Sequence, residues 1–191
     1  FNYNAVYIEG DKNKFKDLLK TKKSFSKILA FNTYVSYKKK SSLIDTILKK
    51  TKIDKNFDIL SIDIDSYDLA IWKSLKKYNP KIVIIEINSS IHPGIKQVHS
   101  ANKPGNSFTS TVNFAKKNGY ELVCHTGNCI FVKKKYIKKI RFKEMYIKNP
   151  ELLFNRSWLG KKELFIKKIL KKIIPKSFLD KLRRVKKKLV I

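Results

Sequence analysis

Residues 57–93, FDILSIDIDSYDLAIWKSLKKYNPKIVIIEINSSIHP, read as a strand, a helix and a second strand. Ile59, Leu60, Ile62 and Ile64 make a short apolar run, and Asp63, Asp65 and Asp68 punctuate its end. Lys81 to Glu86, KIVIIE, is a second such run. Continuous rather than alternating apolar residues suit strands covered on both faces, as in a parallel sheet between helix layers. Between the runs Leu69, Ile71, Trp72 and Leu75 fall at helical spacing, and Asn79-Pro80 is expected to end that helix. The unit is therefore βαβ, with carboxylates gathered where both strands end.

In open α/β sheets ligands bind beyond the carboxyl ends of the strands. Asp63, Asp65, Glu86 and Asn88 are thus expected to look into one crevice. Carboxylates this close repel, so they call for a cation, a shared proton, or a ligand rich in hydroxyl and amine donors. For Ser66 and Asp68 the simpler role is to cap the following helix by accepting from its first free N–H groups.

Outward from this unit the chain keeps alternating. Asn4 to Ile8 reads as a strand closing on Glu9-Gly10-Asp11, followed by a helix over 12–20 with Phe15, Leu18 and Leu19 inward. An acidic strand tip before a turn and a helix is the local pattern in which a carboxylate accepts from a ribose diol, which makes Glu9 a candidate ligand-binding residue. A second strand is expected over 27–35, with Asn32 near its end, and an amphipathic helix over 41–52 from Leu43, Ile44, Ile47 and Leu48. Residues 88–107, NSSIHPGIKQVHSANKPGNS, form a long polar loop directly after Glu86. A loop of this length in a compact domain is functional or disordered, and His92 or His99 within it would serve as a base. Then come a helix over 108–118 with Gly119 as its left-handed cap, and strands at 121–125 and 129–132 joined by Thr126-Gly127-Asn128, a hairpin turn. Strand and helix alternating in this way predict a doubly wound α/β sheet closed by an antiparallel hairpin.

Composition bounds the alternatives. With 191 residues, 42% of them hydrophobic, the chain suffices for one domain and an appendage and is not a disordered composition. The formal charge of +29, mostly lysine, predicts an anionic neighbour. Cys124 and Cys129 lack metal-ligand companions at finger spacing and read as reduced thiols on adjacent strands. No stretch has the roughly twenty apolar residues of a membrane span, and no secretory signal is visible, so a cytoplasmic location is expected.

The succession NAVYIEGD, ILAFNTYVS, FDILSIDIDSYDLAIWKSL, PKIVIIEINSSIHPG, SFTSTVNFAKKNGYELV and GNCIFVKK resembles the later strands of Rossmann-like, S-adenosylmethionine-dependent methyltransferases, and looks closest to the FkbM type. The likeness covers about residues 4 to 140. It implies a domain over 1–140, cofactor-ribose binding at Glu9, a border to the adenine at Asn32 or Phe31, and the methionine part and substrate at Asp63 and Asp65. It also implies O-methylation of a glycan or another hydroxyl-bearing metabolite, with His92, His99 and Asp65 as catalytic candidates. Related enzymes hold a divalent metal by carboxylates after these strands, which would put Mg²⁺ on Asp63, Asp65 and Glu86. The family's first strand and glycine-rich turn should precede residue 1, so the sheet is expected to lack a middle strand and the chain as given to bind the cofactor poorly.

Two other readings stay open. Asp63-Ile-Asp65 is also the D-x-D pattern of metal-dependent glycosyltransferases, and the basic composition admits a catalytically inactive binding module. From Tyr136 onward the chain holds 19 Lys or Arg against 4 acids, about half of the net charge. Over 141–191 a basic tail is expected, with amphipathic helices carrying Leu164, Ile166, Ile169, Leu170 and Ile173 on one face and, after Pro175, Phe178, Leu179, Leu182 and Val185 on another. Residues 161–191 suit an anionic membrane surface first, which would place the protein on the inner face of the membrane, and packing against the domain or an oligomer partner second. Nucleic acid ranks last, because aromatic residues for base stacking are scarce there. The sequence does not indicate an oligomeric state.

Overall fold

The computed structural model describes residues 4–157. The basic helices expected beyond them lie outside the described residues. The chain divides into two units, Phe1–Phe154 and Asn155–Ile191, and the elements and the candidate site all belong to the first.

Strand β1 (Ala5–Glu9) is followed by helix α1 (Lys12–Lys23) and strand β2 (Ile28–Asn32). The two strands pair in parallel, from Ala5 opposite Ile28 to Glu9 opposite Asn32. Asp11 caps α1, its Oδ1 accepting from the amides of Asn13 and Lys14, which satisfies two donors that the first helical turn leaves free. The helix runs a turn past the expected 12–20 and packs loosely. Leu19, expected inward, is exposed.

Helix α2 covers only Ile44–Leu48, far short of the amphipathic helix expected over 41–52. Its Asp45 is buried, and the carboxylate accepts from the amides of Lys76 (2.9 Å) and Lys77 (3.1 Å). Strand β3 (Ile59–Ile62), helix α3 (Asp68–Ser74) and strand β4 (Ile82–Glu86) form the expected βαβ unit, with β3 and β4 parallel. Helix α3 ends at Ser74, before Asn79-Pro80, because Leu75 turns extended and the amides of Lys76 and Lys77 go to the Asp45 carboxylate instead of to helical carbonyls.

Helix α4 (Phe108–Lys117) starts at Ser107, whose Oγ accepts from the Ser110 amide, and stops at Gly119, φ +76°. Strands β5 (Tyr120–His125) and β6 (Asn128–Lys133) make the antiparallel hairpin, and Gly127 turns it at φ +98°. Strand β6 also lies antiparallel to β4, so the larger sheet has the order β3-β4-β6-β5. A register shift between Leu122 and Cys124 leaves Val123 unpaired, a bulge that sharpens local twist. Short helices α5 (Lys134–Ile137) and α6 (Glu144–Lys148) and a turn of 3₁₀ helix at Pro150–Leu153 complete the unit. It runs on to Phe154, past the boundary at 140 that the family resemblance implied, with α6 and Pro150–Leu153 packed on β5.

The protein is thus mixed α/β, with parallel and antiparallel ladders. Among the described residues β1 and β2 hydrogen-bond only to each other and β3 pairs only with β4. Both sheets nevertheless share a core, since Val6 and Ile8 of β1 pack on the cluster built from Leu60, Ile62, Leu69, Trp72, Val83 and Ile85. Trp72 is its centre, with ring centroids 5.2 Å from Phe114, 5.3 Å from Phe131 and 5.4 Å from Tyr120. The burial of β3 corrects one expectation. Leu60 and Ile62 face this core, whereas Ile59 is 56% exposed and Ser61 is open to solvent. An apolar run does not reveal which of its faces is covered; helix α3 packs on one.

Candidate active site

Strands β3 and β4 end side by side, and their tips carry the acids. Carboxylate oxygens of Asp63, Asp65 and Glu86 all lie within 4.8 Å of one another. Asp63 and Asp65 are exposed and Glu86 is half-buried. Among the described residues no further His, Cys, Asp or Glu joins this group. The parallel register explains the meeting: Ile62 stands opposite Ile85, so the residues that follow both strands emerge on one edge.

The turn between β3 and α3 is shaped by Asp68. Only 2% exposed, it sends its carboxylate back along the chain, Oδ1 to the Ile64 amide (2.9 Å) and Oδ2 to the Ser66 amide (3.1 Å). Asp68 therefore holds the turn rather than capping the helix as expected, and the residue at the cap position, Tyr67, makes no side-chain cap bond. Asp65 sits at φ +64°, a left-handed conformation that aspartate tolerates better than most residues. Burial raises the Asp68 carboxyl above its usual range against the pull of these amides, and Asp63 adds to the rise. Burial also raises Glu86, helped by the charges of Asp63, Asp68 and Asp65. Repulsion among like charges favours the protonated form or a bound cation.

Glu9 and Asn32 stand apart from this group, on the paired tips of β1 and β2. Glu9 Oε1 accepts from the Asp11 amide (2.8 Å), while Asn32 Nδ2 donates to the Glu9 carbonyl (2.9 Å). Glu9 Oε2 takes no hydrogen bond among the described residues. The Tyr34 ring lies over Gly10, where a Cβ would meet it at 2.3 Å and displace this exposed side chain.

The long polar loop is ordered rather than slack. Asn88 Nδ2 donates to the Pro104 carbonyl, the Gln97 side chain to the carbonyls of Pro104 and Gly105, and Asn106 Nδ2 to the Ser66 carbonyl. The last bond pins the loop to the acidic turn. His99 Nδ1 accepts from the Gly105 amide (2.9 Å), which leaves the neutral ring with its proton on Nε2. The His99 ring lies against the edge of Tyr67, centroids 4.2 Å apart, and Tyr67 stacks on Tyr37 at 5.1 Å. His92 is exposed on the loop's outer part.

The family model for the methyltransferase FkbM domain matches residues 2–122. The chain belongs to the FkbM methyltransferase family. No curated protein and no solved structure matches it significantly. The matched span of this FkbM domain takes in β1 through the start of β5, and with it Glu9, Asn32, the three clustered carboxylates and the whole polar loop.

Several residues that shape the site carry no clear signal in the sequence. Asp68 stands in the motif but resembles a cap. Tyr37, Tyr67 and His99 come from three separate segments, and no spacing rule connects them. Ser89 and His125 form a buried pair, Oγ to Nε2 3.0 Å, that has the look of a nucleophile and base. At 3% and 2% exposure they are out of reach of a substrate. His125 stacks flat on Phe154 at 4.9 Å with Phe108 edge-on, a packing role. Cys124 and Cys129 are free thiols, and burial raises that of Cys129 above its usual range. No helix of the described residues is long and apolar enough to cross a membrane.

Proposed function

We propose that this FkbM domain is an S-adenosylmethionine-dependent methyltransferase of the Rossmann-like class that methylates a hydroxyl of a glycan or similar metabolite. The observation that carries the reading is the three-carboxylate group at the tips of two adjacent parallel strands, backed by the strand order β3-β4-β6-β5. Such a group prefers a positive ligand, and the cofactor carries both an ammonium and a sulfonium. When bound, the cofactor supplies an electrophilic methyl group.

The chain's own residues supply the rest. Glu9 Oε2 is available to a ribose hydroxyl, and Asn32 holds the backbone of the same tip. Asp63 and Asp65 favour positive charge beside the acceptor. Glu86, made more basic by burial and by its acidic neighbours, takes the proton from the acceptor hydroxyl. His92, exposed on the loop, passes that proton to water, whereas His99, with Nδ1 already engaged, positions Tyr67 and donates through Nε2. The aromatic row Tyr37–Tyr67–His99 beside the acidic turn suits the C–H face of a sugar ring. Three hard oxygen donors also fit Mg²⁺, which on Asp63, Asp65 and Glu86 would lower the pKa of an acceptor hydroxyl.

The lysine-rich composition of 161–191 supports an anionic membrane surface as a partner. Deleting this segment should release the protein from anionic vesicles. Calorimetric titration of S-adenosylmethionine tests the central reading. In a protein extended upstream to carry the family's first strand and glycine-rich turn, micromolar affinity is expected, weakened about tenfold in Asp63→Asn by loss of one charge contact. Equal affinity in both proteins would remove the carboxylates from the site.

A further inference from the structure

At the opposite end of the β3–β4 pair lies a second cleft, about 480 Å³ in volume. Strands of this length put it about 15 Å from the carboxylate group. Its walls come from the segment before β3, the end of α3 and the loop leading into β4. Lys55, Lys73, Lys76 and Lys77 line it, and no acidic residue does. None of these four ammonium groups makes an ion pair among the described residues. The nearest buried acid, Asp45, is committed with both oxygens to the backbone amides of Lys76 and Lys77, so it fixes the loop that presents them. Asn79 on the rim is held from outside by Lys133 Nζ.

A second feature lies in the wall. Trp72 lines this cleft, and its indole N–H donates to no group among the described residues. Four cations without ion-pair partners around a concave surface focus a field that concentrates anions. The volume exceeds that of an inorganic ion and matches the range of small-ligand sites.

We propose that this cleft is an anion site for a phosphate-bearing group, in which Trp72 Nε1 donates to a phosphate oxygen and Lys73, Lys76 and Lys77 neutralise its charge. The site is separate from the methyl-transfer end and does not depend on that assignment. The phosphate can come from a free phosphorylated metabolite or from a lipid headgroup.

The indole N–H itself provides the test. In the ¹H–¹⁵N spectrum of the whole chain two indole signals are expected, from Trp72 and Trp158, and Trp158→Phe assigns them. Pyrophosphate should shift the Trp72 signal saturably, with a dissociation constant of about 1 mM or below. The triple variant Lys73→Gln/Lys76→Gln/Lys77→Gln should weaken this about tenfold, equivalent to 1.4 kcal/mol. A control of equal charge, Lys12→Gln/Lys96→Gln/Lys103→Gln, on the polar loop and after the β1 tip, should change it less than about twofold, as expected for screened charges outside the cleft. To separate the sources, glycerol phosphate is compared with monomeric dihexanoyl-phosphatidylglycerol. A tighter response to the lipid assigns the site to a headgroup, and a tighter response to glycerol phosphate assigns it to a free metabolite. An unmoved indole signal, or equal weakening in the two triple variants, would overturn the proposal and leave only diffuse attraction to a basic surface. An oligouridylate that moves the signal where pyrophosphate does not would overturn it in favour of RNA.

Discussion

Replacing Asp68 by asparagine probes the turn on which the candidate site depends. The carboxylate accepts from two backbone amides, Ile64 at 2.9 Å and Ser66 at 3.1 Å, and is almost wholly buried. Asparagine keeps one acceptor and turns an NH₂ group toward the other amide. Losing one charge-assisted bond costs about 1.5–3 kcal/mol. Some of that returns, because the variant no longer buries a charge that desolvation and Asp63 oppose. A net destabilisation of about 1–2 kcal/mol is therefore expected in urea unfolding. The location is as diagnostic as the size. Amide exchange at Ile64 and Ser66 should speed up about tenfold or more, while Val83 and Ile85 in β4 change only as far as global stability does. Unchanged protection at both amides, with a stability loss under about 0.5 kcal/mol, would refute the claim that Asp68 shapes the turn.

Acid titration separates two kinds of buried group. His125 is held below its usual pKa by burial, so its contribution to stability is complete above the ordinary value of 6.5 and is lost as the pH falls from there through the lower folded value; the melting temperature should drop between about pH 7 and 5, and His125→Asn should flatten that slope. Asp68 and Glu86 are shifted upward, so their contributions are present at low pH and are lost as the pH rises through their folded values. Glu86→Gln should accordingly raise stability near neutrality while abolishing any methyl transfer, and a stability loss there would contradict the crowding of charge. Gly105→Ala should cost about 1–2 kcal/mol or more, because φ is +75° and the new Cβ would meet Asn88 Cβ at 2.7 Å. Gly94→Ala at φ +92° meets nothing within 4 Å and should cost less, which thermal melts of the two variants compare directly. Asp45→Ala strands the amides of Lys76 and Lys77 and should lower stability by about 2 kcal/mol, with faster exchange at both.

How much is legible in the chain depends on the range of the interaction. The βαβ unit, the hairpin at Thr126-Gly127 and the cap at Gly119 rest on local rules, and all three are present. The helix expected over 41–52 shrinks to α2 because Leu43 is extended at ψ 143° and both the hydroxyl and the amide of Thr51 turn back to the Leu48 carbonyl, while Asp45 within it serves a distant loop that no window around residue 45 contains. The acidic tips are visible as residues, but their meeting within 4.8 Å depends on the Ile62–Ile85 register.

The sequence by itself determined the alternation of strands and helices, the gathering of acids at strand ends and the family, because each is written in the order and spacing of neighbouring residues. Only the tertiary structure decided which face of β3 is covered and that Asp68 braces the turn. It alone stacked Tyr37, Tyr67 and His99, and left the Trp72 indole N–H without an acceptor beside four lysines. Those features arise between segments far apart in the chain, and their energies depend on distance and burial, which periodicity does not encode.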